Sequence, residues 1–194
     1  CSSDLVGGIA TAEKDLAEGR DAAAAGKVIR MIPHIHGYDA VSTDPVVNRS
    51  MRVLAVATAR RGGDLGSLAA ELPEELVGAF AGTDPEAHRK NLEWAVKALK
   101  ALRKVKKDDA TLKSELAEAM AQLPETKAKA KKTLEKLARK DLLTSPEAYR
   151  ALSRLRAEAG DEAGAASALD RCRTMARDAS TCESVAHPVV DGES

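Results

Sequence analysis

The chain has 194 residues, enough for one sizeable domain or two small ones. Aromatic residues make up only 2% of it, much of the 44% hydrophobic content is alanine, and β-branched residues are scarce. Alanine has the best helix propensity, whereas strands favour β-branched and aromatic residues, so this composition predicts an all-α fold. The formal net charge of zero gives no overall attraction to nucleic acid.

The first four residues are Cys1-Ser2-Ser3-Asp4. This start resembles the mature N-terminus of a bacterial lipoprotein, in which a diacylglyceryl group sits on the cysteine sulfur. The resemblance implies a covalent lipid on Cys1, a linker over residues 1–7 with a flexible Gly7-Gly8 pair, and a place in the cell envelope. In that class a serine after the cysteine favours the outer membrane, facing the periplasm. The alternative is a fragment that happens to begin at cysteine.

The predicted helices are clearly bounded in the sequence. Asp44-Pro45, Asp84-Pro85 and Ser145-Pro146 each place an N-cap residue before a proline at the first helical position. Apolar residues recur in steps of three and four, as in Leu92, Val96, Leu99, Leu102 and Val105, which predicts a buried stripe. We expect helices over residues 9–18, 20–32, 45–61, 64–72, 74–80, 85–105, 109–122, 124–140, 146–158 and 161–177. Short turns between them favour antiparallel pairs within a helical domain over residues 8–178.

One helix pair, over residues 149–172, carries a recognisable spacing. Tyr149 and Leu152 precede a Gly160-Asp161 turn, and Ala165 and Leu169 follow it. This pattern resembles a tetratricopeptide repeat, in which a small residue on the second helix lets the first helix approach closely. The resemblance implies a helical solenoid that holds a protein partner, and an irregular helical bundle is the alternative.

Two cysteines besides Cys1 lie ten residues apart near the end of the chain. In an oxidising compartment Cys172 and Cys182 would form a disulfide that pins a tail over residues 179–194. Closing a loop of this size would add about 2–3 kcal/mol in the chain-entropy model. The alternative is a buried thiol at Cys172 and an unpaired Cys182.

Positive charge is concentrated in the middle of the chain. From Glu86 to Lys140 there are 16 Lys and Arg against eight Asp and Glu. The most basic amphipathic stretch contains Lys97, Lys100, Arg103, Lys104 and Lys107. It could form a solvated outer face, lie on anionic lipid, or dock an acidic partner. Nucleic acid is disfavoured because only Trp94 is near for base stacking.

A loop at residues 34–43 contains His34, His36 and Asp39, the best set of potential metal ligands. Such pairs of histidines are common without a metal, so we expect a loop whose histidines contact solvent or backbone groups, and a zinc site is the alternative. The sequence contains no G-x-S-x-G turn, no phosphate-binding glycine loop and no cofactor fingerprint, so we expect neither an enzyme nor a cofactor other than the lipid.

Together these features predict a non-catalytic, lipid-anchored envelope protein that serves as a scaffold or accessory subunit of a membrane protein complex. The alternative is a periplasmic binding module that takes a small ligand, a metal or a cell-wall component through the His34–Asp39 loop.

Overall fold

The structure is a computed structural model that describes residues 2–38, 40–66, 68 and 84–183. The predicted all-α fold is confirmed, with eight α-helices and no strand in these ranges. The helices are α1 Ser2–Ala17, α2 Asp21–Met31, α3 Pro45–Arg60, α4 Pro85–Val105, α5 Ala110–Met120, α6 Lys127–Ala138, α7 Pro146–Ala157 and α8 Glu162–Met175. Short 3-10 turns occupy Ile35–Gly37, Pro124–Thr126 and Ala179–Cys182.

The helices begin where the capping residues predict. The three predicted N-cap side chains each accept a hydrogen bond from a backbone amide of the first turn, Asp44 from Val46, Asp84 from Ala87 and Ser145 from Ala148. Each of these hydrogen bonds pairs an amide that has no acceptor within the helix. The proline that follows the N-cap residue has no N–H group, so it leaves no unpaired donor at the first helical position.

Consecutive helices pack on one another, and the odd-numbered helices also form a continuous layer in which α1 contacts α3, α3 contacts α5, and α5 contacts α7. The central helix is α3, whose residues from Val53 to Ala59 are all buried. Contact between every second helix is the arrangement of stacked helical pairs, in which each pair buries its apolar faces against the next.

The helix pair α7–α8 contains the residues of the predicted repeat. Tyr149, Leu152 and Ala165 are buried, and Leu169 is partly buried. The hydroxyl of Ser153 donates a hydrogen bond of 2.8 Å to the carbonyl oxygen of Ala165, so the two helices approach closely at the small residue.

The predicted disulfide between Cys172 and Cys182 is present, with Cα atoms 5.9 Å apart. It fixes the 3-10 turn Ala179–Cys182 against α7 and α8. Arg150 of α7 donates a hydrogen bond of 2.9 Å to the carbonyl oxygen of Thr181 in this turn. The rest of the predicted tail, residues 184–194, lies outside the described part of the chain.

Three predictions need correction or cannot be placed. The segment predicted as a linker up to residue 7 is helical from Ser2, because α1 continues through Gly7 and Gly8 and packs on α2. Val105, predicted in the buried stripe of α4, is 68% exposed at the helix end. The helices predicted over 64–72 and 74–80 lie almost wholly outside the described residues.

Candidate functional site

The predicted basic stretch lies along one side of α4 and just beyond its end. Lys97, Lys100, Lys104 and Lys107 are exposed, and Arg103 is half-buried beside them. Their spacing of three and four residues aligns the lysines on one stripe of the helix. The other half of α4 differs, because its charges are paired within the helix, Lys90 with Glu86 at 2.7 Å and Arg89 with Glu93 at 2.9 Å.

Three further cations from the next two helices lie at the same end. Burial lowers the pKa of Lys113, and the positive charges of Arg103, Lys136 and Lys140 lower it further. These residues come together because α5 packs on both α4 and α6, so the start of α5 lies beside the end of α4 and the end of α6. We name as the basic face the seven residues Lys100, Arg103, Lys104, Lys107, Lys113, Lys136 and Lys140.

The basic face is not neutralised by ion pairs within the part of the chain that the structure describes. None of its seven members forms an ion pair with any residue in the described ranges. The Nε atom of Arg103 is buried and has no hydrogen-bond partner there. A guanidinium group has a planar set of donors that matches a carboxylate, so the half-buried Arg103 adds to the exposed lysines a group suited to an acidic side chain.

The loop of the predicted metal ligands is held by its backbone and by apolar contacts. Ile35 is fully buried, and the indole Nε1 of Trp94 donates a hydrogen bond of 3.1 Å to the carbonyl oxygen of Tyr38. His34 is exposed, while the side chain of His36 and all of Asp39 lie outside what the structure describes. Among the described residues no three His, Cys, Asp or Glu side chains are grouped to hold a metal ion.

The predicted lipid attachment at Cys1 stays a prediction, because Cys1 also lies outside the described residues. No described helix combines the length and the apolar character that a membrane span requires.

A second charged site, which the sequence does not predict, surrounds Arg60 at the end of α3. Its guanidinium lies 3.3 Å from a carboxylate oxygen of Glu118, 3.5 Å from Asp21 and 3.6 Å from Glu147, and it donates a hydrogen bond of 3.2 Å to the carbonyl oxygen of Leu16. These residues come from α1, α2, α3, α5 and α7. The Arg60 network therefore joins the first helices of the chain to the last ones.

Burial controls the protonation of the Arg60 network. Burial opposes the charge of Arg60, but the carboxylates of Glu118, Glu147 and Asp21 outweigh it and raise the pKa of the guanidinium. Burial raises the pKa of Glu118 to about 7 and that of Asp21 to about 6, against the attraction of Arg60. One guanidinium cannot neutralise three buried carboxylates, so the network holds a proton near neutral pH.

Two cavities flank the Arg60 network. One, of about 390 Å³, is lined by residues of all four odd-numbered helices, among them Glu13 of α1, the paired Arg52 and Glu115, and Glu147 of α7. The other, of about 280 Å³, lies between α3, α5 and α7 and is lined by Arg60, Glu118, Gln122, Glu147, Arg150 and Arg154 together with apolar residues. Both open on the layer that the odd-numbered helices form.

Comparison of the chain with protein-family models, with curated proteins and with solved structures finds no match. The functional proposals below are therefore based on the geometry of the basic face and of the cavities alone.

Proposed function

We propose that this protein is a non-catalytic helical scaffold that docks an acidic partner protein on its basic face. The observation that carries the proposal is the collection of seven cations, from three helices and the turns after two of them, without an ion-pair partner among the described residues. Like charges at such spacing repel one another, so an acidic partner that neutralises them gains interaction energy and is steered to the face.

The chemistry of the face favours a protein over other polyanions. The guanidinium of Arg103 is half-buried among exposed lysines, so a carboxylate on a flexible side chain can approach it, whereas a flat layer of lipid headgroups meets the lysines first. Single-stranded nucleic acid stacks its bases on exposed aromatic rings. The aromatic residue nearest to the face in sequence, Trp94, is buried, and its indole nitrogen donates a hydrogen bond to the carbonyl oxygen of Tyr38, so it offers no ring for stacking.

Charge reversal tests the proposal. We expect poly-L-glutamate on a column to bind and retain the wild-type protein at low ionic strength and to release it as salt is added, because salt screens charges over about 8 Å at physiological concentration. The double variant Lys100→Glu with Lys104→Glu is expected to lose this retention. The matched control, Lys14→Glu with Arg173→Glu, makes the same change in net charge at exposed positions outside the face and is expected to keep it.

Two results would overturn the proposal. In one, vesicles containing phosphatidylglycerol or single-stranded DNA bind the wild type while poly-L-glutamate does not. In the other, both double variants bind poly-L-glutamate equally, which would mean that the face does not direct docking. Circular dichroism establishes that each variant is folded, and the exposure of Lys100 and Lys104 means that neither substitution disturbs the core.

A further inference from the structure

The cavity of about 280 Å³ between α3, α5 and α7 has charge of opposite sign on different parts of its wall. Glu118 and Glu147 are named here the negative part of the wall, and Arg150 and Arg154, which lie about one and two turns beyond Glu147 on α7, the positive part. Ala59, Ala151, Ala157, Leu169 and Cys182 supply an apolar lining between helices. The volume is near the lower end of the range for small-molecule sites and would hold about nine waters, so it suits a ligand of few atoms.

The positive part of the wall has unused donors. Arg150 and Arg154 are one turn apart on α7, and burial lowers the pKa of Arg154, with the charge of Arg150 lowering it further against the attraction of Glu158. Among the described residues, the buried Nε of Arg154 has no hydrogen-bond partner, and a carboxylate oxygen of Glu158 lies 3.9 Å from it. Its Nη2 donates to the carbonyl oxygen of Ala121 at 3.0 Å.

Gln122 extends this part of the wall. Its Oε1 accepts a long hydrogen bond of 3.4 Å from Nη1 of Arg154. Arg150 uses one of its nitrogens for the carbonyl oxygen of Thr181. An anion here would offset the repulsion between the two guanidinium groups.

In the part of the chain that the structure describes, the carboxylates of Glu118, Glu147 and Asp21 outnumber the cations that attract them, Arg60 and, at Asp21, Arg150. Glu118 and Glu147 share Arg60 with Asp21, at separations of 3.3 Å or more. Ser145 donates a hydrogen bond of 2.8 Å to Glu118, which satisfies one oxygen but adds no positive charge. An ammonium group in the cavity would supply the missing positive charge next to two buried carboxylates.

The two parts of the wall lie on one side of the same helix. Glu147, Arg150 and Arg154 follow the spacing i, i+3 and i+7 on α7, which places them along one stripe. At 1.5 Å for each residue, Glu147 and Arg154 are about 10 Å apart along the helix axis, and their side chains can converge on a shorter ligand. The termini of an extended dipeptide are about 7 Å apart.

We propose that this cavity binds a small zwitterion of amino-acid or dipeptide size, with its carboxylate at Arg150 and Arg154 and its ammonium at Glu118 and Glu147. The site is separate from the basic face and does not depend on the proposed docking function. It would make the protein responsive to a small metabolite or to a fragment of peptide.

A ligand series tests the proposal without any substitution. Isothermal titration calorimetry with L-alanine, L-alanyl-L-alanine, acetate and methylamine distinguishes the contribution of the carboxylate to binding from that of the ammonium group. We expect at least one of the two zwitterions to bind at least tenfold more tightly than either acetate or methylamine, because only a zwitterion uses both parts of the wall. The choice between L-alanine and L-alanyl-L-alanine then gives the length of the ligand.

Substitution at the positive part locates the site. Arg154→Gln is expected to weaken binding of the zwitterion about tenfold or more, since it removes a charged donor, while Arg173→Gln, on the exposed side of α8, leaves it unchanged. If Arg154→Gln does not fold, Arg150→Gln provides the same test. Equal binding of acetate and zwitterion, absence of binding by either zwitterion, or unchanged binding in the folded Arg154 variant would each overturn the proposal.

Discussion

Replacing Glu118 by glutamine should change how the stability of the protein depends on pH. Glu118 is 4% exposed and faces Arg60 of α3, Glu147 of α7 and Glu115 of its own helix, with a hydrogen bond from Ser145. Glutamine has nearly the same shape and can still accept that hydrogen bond, but it stays neutral at every pH. The variant therefore removes the ionisation of Glu118 and leaves its packing in place.

The magnitude follows from the pKa of Glu118, which rises from the ordinary 4.5 to about 7 in the folded protein. Between these two values the folded state binds more protons than the unfolded chain, so the free energy of unfolding falls as the pH rises, and the loss is complete above pH 7. At 1.36 kcal/mol for each pKa unit, the wild type loses about 3 kcal/mol through this one carboxyl group.

Urea unfolding followed by circular dichroism, from below pH 4.5 to above pH 7, measures the effect. We expect Glu118→Gln to match the wild type at the acidic end and to be more stable by about 3 kcal/mol at the alkaline end. A matched control is Glu135→Gln. The hydrogen bonds from Arg156 lower the pKa of Glu135, so its removal should destabilise the protein most at the alkaline end. If Glu118→Gln follows the wild type at every pH, Glu118 ionises normally and our description of the Arg60 network is wrong.

Three further predictions concern the backbone and the disulfide. In thermal unfolding, Gly63→Ala should destabilise the protein more than Gly160→Ala. Both glycines have positive φ, where a side chain costs about 1–2 kcal/mol, but of the two only Gly63 would place its Cβ 2.2 Å from a backbone oxygen. Equal destabilisation would contradict the close approach of α3 and α4. Gly7→Ala should stabilise the protein by about 0.5–1 kcal/mol, since alanine favours the helix that contains it, whereas a flexible linker would show no change. Replacing Cys172 and Cys182 together by serine should lower the free energy of unfolding by about 2–3 kcal/mol, and a smaller loss would mean that the disulfide constrains the unfolded chain little.

Local features of this fold could be predicted from the sequence because each depends on neighbouring residues. Asp44, Asp84 and Ser145 mark helix starts through bonds to amides two or three positions away. The pairing of Cys172 with Cys182 closes a short loop. The linker prediction is wrong because Gly7 and Gly8 suggest flexibility, whereas the packing of α1 on α2 keeps them helical.

Features that depend on distant residues could not be predicted in the same way. Arg60 meets Glu118 and Glu147, residues far along the chain, and nothing in the periodicity of α3 indicates that its last residue is buried among carboxylates. The basic stretch of α4 was visible in the sequence, but its extension by Lys113, Lys136 and Lys140 follows from the order in which three helices pack.

The central claim is that the basic face is the docking surface, and amide chemical-shift mapping tests it most directly. During titration of the isotope-labelled protein with poly-L-glutamate, we expect shifts at the end of α4, the start of α5 and the end of α6. The shifts should reverse as salt is added. Shifts centred instead on α8 or on the layer of odd-numbered helices, or shifts spread evenly over the surface, would contradict the account.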